Sequence, residues 1–167
     1  MDKKYARQLS LALDGSGETN KELGRRLAMS ASAIGKYSLG ERRADHQKKT
    51  LLAKALRGLR LRLSSARSDF GTISFADNPR VRPDVFGATT AANREERERQ
   101  QIWTEFQDAI TVPAGKLTKA QSELVDRGFK EFAEEIGAEL TEFIELAQYA
   151  ERDPQQYIDD FNERLGG

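Results

Sequence analysis

In one short stretch, Ala31, Ser32, Gly35 and Lys36 are spaced so that a helix would carry them on one side, opposite Ile34 and Tyr37. They are small groups beside one long cation. None of them needs burying, so a helix of this kind can enter a groove. His46, the single histidine, has no cysteine or second histidine with which to share a metal, and beside Arg42 and Arg43 it reads as a phosphate neighbour or a plain surface residue. The absence of cysteine excludes the usual Cys/His zinc site, a disulfide framework and a cysteine nucleophile. Acidic pairs such as Glu134-Glu135 and Asp159-Asp160 fall on segments with a full apolar face opposite, and they read as solvated surface rather than as catalytic carboxylates or metal ligands. Gly15-Ser16-Gly17 is a turn and no phosphate loop. Neither an enzymatic activity nor a cofactor nor a metal is expected.

The elements that must position this stretch are legible in turn. Thr19 and Glu22 make a capping box that starts a helix at Asn20, with Leu23 and Leu27 facing inward one turn apart. Ala28 and Met29 form the turn, and Ser30 caps the following helix. Before them, Tyr5, Leu9 and Leu13 recur every four residues from Lys3 to about Leu13, and Asp14 to Gly17 ends that helix. After them comes a polar connection, 40–43, and Asp45 caps a fourth helix. Leu52, Leu56 and Leu59 stripe it, while Lys48, Lys49, Lys54, Arg57, Arg60 and Arg62 line the remainder. The predicted core is Leu9, Leu13, Leu23, Leu27, Ile34, Leu52 and Leu56.

The order Leu23, Leu27, Ser30, Ile34, Tyr37, Gly40 and Arg42-Arg43 resembles the helix-turn-helix of the lambda-repressor/Cro-like transcriptional regulators, over roughly residues 1–62. The resemblance implies double-stranded DNA as partner. The helix from Ser30 to Tyr37 would lie in the major groove, with Ala31, Ser32 and Lys36 nearest the bases. Lys36 would donate to guanine, Ser32 to either partner, and Ala31 would meet a thymine methyl. Asn20, Arg42 and Arg43 would hold phosphates, with His46 beside them. This chain departs from the pattern in two places. Ala31 stands where the family often has a base-reading glutamine. The family's alanine in the first helix and glycine in the turn are exchanged, as Gly24 and Ala28. Either Ala28 is left-handed, at about 1 kcal/mol, or the turn has another shape.

A formal net charge of zero conceals a division: residues 1–67 hold 16 Lys/Arg against 6 Asp/Glu, and residues 68–167 hold 11 against 21. Only the first part suits a polyanion. Residues 64–90, broken by Ser64-Ser65, Gly71, Pro79, Pro83 and Gly87, read as a linker that is partly ordered because it carries Phe70, Ile73, Phe75, Val81, Val85 and Phe86. From 91 the chain is helical again. Ile102, Trp103, Phe106 and Ile110 form one stripe. Val125, Phe129, Phe132, Ile136, Leu140, Phe143 and Ala147 form a second, on a helix capped by Thr118 and Gln121 that Gly137 could divide. Asp153-Pro154, with Gln156 completing the cap, opens a last helix whose buried side is Tyr157, Ile158, Phe161 and Leu165.

The expected fold is therefore all-α: a four- or five-helix DNA-binding domain over 1–63, a linker over 64–90, and a helical bundle over 91–167 for dimerisation or regulation. The surplus of aromatic groups assigns dimerisation to Trp103, Phe106, Phe129, Phe132, Ile136 and Phe143. A dimeric repressor on a palindromic operator is the resulting expectation. Its rivals are an antitoxin or anti-regulator whose acidic C-terminal helices bind a protein, and an effector-sensing regulator with a ligand near Trp103. The helical second half excludes the β-rich self-cleaving domain found in some repressors of the resembled family. With no apolar run near 18 residues and no leader-like start, a soluble, cytoplasmic protein without membrane contact is expected.

Overall fold

The computed structural model describes residues 2–77 and 81–165. It is all-α, with eight α-helices and one 3₁₀ turn and no strand among the described residues. Pro79 and Gly166, read above as a breaker and a helix stop, lie outside them. Contacts divide the chain into two compact units, Met1–Ser74 and Phe75–Gly167.

The first unit has five helices: α1 (Lys3–Ser16), α2 (Asn20–Leu27), α3 (Ala31–Ser38), α4 (His46–Leu56) and α5 (Leu59–Phe70). Each of the first four starts where a side chain can accept from the orphan amides of its first turn. These caps are Asp2, Thr19 in a full capping box with Glu22, Ser30 and Asp45. The apolar sides close on one core of Tyr5, Leu9, Leu13, Leu23, Ile34, Tyr37, Leu52 and Leu61, with Leu27 and Leu56 partly buried against it.

Three corrections apply in this unit. The helix expected to run from Asp45 past Leu59 is two helices, because Arg57 adopts a left-handed conformation (φ 52°) that ends α4 and Gly58 precedes α5. α5 then continues to Phe70, so the first residues of the expected linker are helical and belong to this unit. Lys49, expected on the solvent side, is 1% exposed. Its ammonium donates to Ser68 Oγ at 2.6 Å and pairs with the Asp69 carboxylate, tying α4 to α5 from inside. Burial alone would raise the Asp69 pKa. The hydrogen bonds from Lys49 and His46 outweigh it and hold the carboxyl below its usual value. Lys49 Nζ also lies 5.5 Å from the centre of the Tyr5 ring. Burial, followed by the charge of Asp69, pushes the Tyr5 hydroxyl pKa up.

The second unit is built on two long helices, α6 (Val85–Ile110) and α7 (Lys119–Tyr149), joined through the 3₁₀ turn Ala114–Lys116 and followed by α8 (Pro154–Leu165). α6 begins at Val85, six residues earlier than expected, capped by Asp84 Oδ1 accepting from Gly87 N at 2.8 Å. The linker reading thus fails at both ends, since each end contains residues that a partner helix buries or a cap fixes. Residues 71–77 carry no regular secondary structure. Phe75 is 1% exposed, and Ala76 N donates to the Gly137 carbonyl at 3.0 Å and to Thr141 Oγ1 at 2.7 Å. Gly137 does not divide α7, which is continuous.

α6 and α7 meet along a seam that the sequence stripe missed. α7 buries Gly128, Glu135, Gly137, Ala138, Ile144 and Ala147. The ring of Phe106 lies on Gly128 so closely that a Cβ there would run into it. Gly128 and Glu135 therefore face α6, the rings of Phe129 and Phe132 stand to the flank, and Gly137 lies half a turn round the helix, where its carbonyl accepts from Ala76 N. Arg99 pairs with Glu135 inside this seam, its guanidinium 4.9 Å from the Trp103 ring centre and 5.2 Å from that of Phe132. Glu135, read as solvated surface, is thus 5% exposed. Ile110 yields its inward place to Ala109.

α8 buries none of its residues, and the expected inner side is open: Tyr157 is 48%, Phe161 53% and Leu165 73% exposed. Its first turn is capped by Asp153 Oδ1 accepting from Gln155 N at 2.9 Å, without the side chain of Gln156. No helix among the described residues is long and apolar enough to cross a membrane.

Candidate nucleic-acid interface

The local chain from Thr19 to Arg43 explains how α3 comes to present its side chains. α2 ends at Ala28, which is left-handed (φ 53°, ψ 41°), and Met29 N donates to the Gly24 carbonyl at 2.8 Å. This settles the alternatives for the turn: an alanine occupies a conformation that costs a residue with a Cβ about 1 kcal/mol. The same turn explains Gly24. A Cβ at position 24 would stand 2.6 Å from Met29 O, so the descending backbone requires a glycine on α2. The exchanged alanine and glycine are thus two parts of one close approach.

From this turn α3 leaves with Ile34 wholly buried and Tyr37 2% exposed. Ser32 and Lys36 are exposed and Ala31 is half-buried. Neither Ser32 nor Lys36 has a side-chain partner among the described residues, and both are available to a ligand. Asn20, at the start of α2, is half-buried, and its Nδ2 would lie 3.5 Å from a Cβ on Gly35. Arg42 and Arg43 are exposed where the chain leaves α3, and Arg42 lies over the Tyr37 ring, 5.9 Å from its centre. The apolar stem of that arginine therefore rests on the core while its charged end faces water.

His46 is the one expected member that turns elsewhere. Its Nδ1 lies 2.9 Å from Asp69 Oδ2 and its ring stands nearly perpendicular to that of Phe70, their centres 5.5 Å apart. The Asp69 carboxylate, not the α3 region, fixes this imidazole.

Sequence reasoning missed cations that the fold gathers beside Arg43. Arg43 opens onto a groove of about 630 Å³ shared with Asp2, Lys3, Lys4, Arg67 and Ser68. Asp2 both caps α1 and accepts from Arg67 at 3.2 Å, so part of this charge is already answered. Lys3-Lys4 was visible as a cationic start, but nothing local tied it to Arg43, some 40 positions on.

In the second unit the residues expected to dimerise divide. Phe106 is 5% exposed inside its own hairpin and is removed from the list, since a buried ring cannot meet a second chain. Phe129 and Phe132 are 63% and 38% exposed, while Trp103, Ile136 and Phe143 are half-buried. Phe129 stands edge-on to Phe106 at 5.6 Å and Phe132 is tilted on Trp103 at 5.8 Å, so each exposed ring is anchored on one side. The acidic groups have cations of their own. Glu95 pairs with Arg94, Glu98 lies 3.7 Å from Arg94, Glu131 lies 4.0 Å from Arg127, and Glu134 lies 3.5 Å from Lys130.

Comparison of the chain with protein-family models, with curated proteins and with solved structures found no match in any of the three.

Proposed function

We propose that this protein is a sequence-specific DNA-binding transcriptional regulator, a repressor that reads a palindromic operator as a homodimer through α3. One observation carries the reading. α3 is anchored by Ile34 and Tyr37, and its opposite side presents Ser32 and Lys36 without partners, next to the exposed Arg42 and Arg43. Such a helix is rigid behind and free in front, as insertion into a major groove requires. The cationic balance of this half supports the same partner, and the anchored, half-open rings of Phe129 and Phe132 suit a second copy.

The test begins with selection of duplexes from a random pool by the full chain, followed by titration of variants on the selected and scrambled sequences. Lys36→Ala should cost about 1–3 kcal/mol on the selected site and far less on the scrambled one, as a base contact does. Arg43→Ala should weaken both alike and flatten the slope of log affinity against log salt by about 0.9, one phosphate's share of counterions. A pool that yields no consensus would refute sequence-specific reading. Equal losses for Lys36→Ala on both duplexes would make Lys36 a phosphate ligand and remove α3 from the groove.

A further inference from the structure

Between α4 and α5 the first unit has a groove of about 330 Å³, whose lining includes His46, Lys54, Arg62, Asp69 and Phe70. This is at the small end of the range of about 300–1,000 Å³ that holds small-molecule ligands. The charges of the groove are unequal in a telling way. The one carboxylate, Asp69, is already engaged by the buried Lys49 and by His46. Arg62 has its Nε buried without any acceptor, and neither it nor Lys54 has an ion-pair partner among the described residues. That nitrogen is closed to water and to a ligand alike, but the terminal nitrogens of the same guanidinium are neither buried nor bonded, and these are the ones an incoming acceptor can reach. Beside these cations, Ala53 and Ala66 supply an apolar lining, and the Phe70 ring is 71% exposed and stands nearly perpendicular to the His46 ring that touches it. An exposed ring held in place is a platform on which a flat body can stack.

We infer that this groove is a binding site for a small amphiphilic anion, a flat apolar body carrying one carboxylate, with Arg62 and Lys54 holding the carboxylate and Phe70 the body. The fork of Arg62 matches two carboxylate oxygens, and Lys54 adds a point charge from the rim. The groove shares no residue with α3, so a ligand there leaves the proposed reading helix uncovered. The site stands independently of the DNA-binding proposal. It also differs from an effector site near Trp103, which lies in the other unit.

The test uses the full chain, with naphthalene-2-carboxylate as probe and its uncharged carboxamide as control, followed by amide chemical shifts. The carboxylate should move resonances within residues 46–70, saturably, and the carboxamide should bind at least about tenfold more weakly, the loss expected when a charge-assisted hydrogen bond is removed. Arg62→Gln should bring the carboxylate down to the level of the carboxamide and leave the carboxamide unchanged. Phe70→Ala, at an exposed position that spares the core, should weaken both probes and keeps the test decisive if Arg62→Gln does not fold. Equal affinity for the two probes, or shifts confined to the exposed aromatic groups of residues 129–165, would overturn the assignment.

Discussion

The two units solve the same problem, closing a helical core, and leave different surfaces outside. Met1–Ser74 closes with large side chains: Leu9, Leu23, Ile34, Leu52 and Leu61 are fully interior, and what remains outside is mainly charge, with 16 Lys/Arg against 7 Asp/Glu. Phe75–Gly167 closes by seating a large side chain on a position without one. Phe106 lies on Gly128, with Ile102, Ile144 and Phe75 buried in the same unit, while the rings of Phe129 and Phe132 are left open at the flank, among 11 Lys/Arg and 20 Asp/Glu. Those open rings leave apolar surface over for another molecule. The first unit therefore offers mainly cationic charge, with the Phe70 ring and Leu39 also exposed, while the second offers acidic charge and a larger set of open rings. The units do share one device, a buried ion pair joining two helices: Lys49–Asp69 in the first and Arg99–Glu135 in the second.

The strongest way to break this contrast is to attack the second seam through its charge. Glu135→Leu leaves Arg99 without its carboxylate in a buried place and should destabilise the second unit by about 3–5 kcal/mol. Trp103 is the only tryptophan, so denaturation followed by its fluorescence reports on this unit. A loss below about 1 kcal/mol, the scale of an exposed pair, would show that the pair is surface decoration and that the close helix approach alone holds the hairpin.

Surface left over for a second copy predicts association of the full chain. Replacing Phe129 and Phe132 together by Ser should weaken dimerisation by 2 kcal/mol or more, about 30-fold, the range of central aromatic contacts. Sedimentation equilibrium would read this. A wild-type monomer at tens of micromolar, or an unchanged dimer in the double variant, would place any partner surface elsewhere.

In the first unit the expected effects are smaller and one is a gain. Ala28→Gly should stabilise by about 1 kcal/mol, since the left-handed turn no longer carries a Cβ, less whatever the more flexible unfolded chain takes back. Thermal unfolding of the pair would register it as a rise in Tm. A fall would mean that the Ala28 methyl makes a contact worth more than the strain.

The smallest effect concerns pH. Asp69 has its folded pKa depressed by Lys49 and His46 against the opposing effect of burial. The contribution of this carboxylate is thus whole above the ordinary Asp value of about 4 and is lost as the pH falls through the lower folded value. Unfolding free energy of the first unit measured between pH 5 and pH 2 should fall less steeply in Asp69→Asn than in the parent. Parallel profiles would show that the Lys49 pair is not coupled to the fold in this way.

Local signals in the chain determined the all-α class, the caps at Thr19, Ser30, Asp45 and Thr118, and the anchoring of α3 by Ile34 and Tyr37. A cap or a four-residue repeat acts within one or two turns, so its physics is complete in the sequence. Tertiary structure alone decided what depended on a distant partner. It buried Lys49 and Glu135, whose charges are stable inside only because Asp69 and Arg99 arrive from other helices. It split the fourth helix at Arg57, made Phe75 core, and brought Lys3 near Arg43. On α7 the period gave an apolar face but not which edge of it would meet α6. The ring of Phe106 needed a place with no side chain, and Gly128 was where it found one.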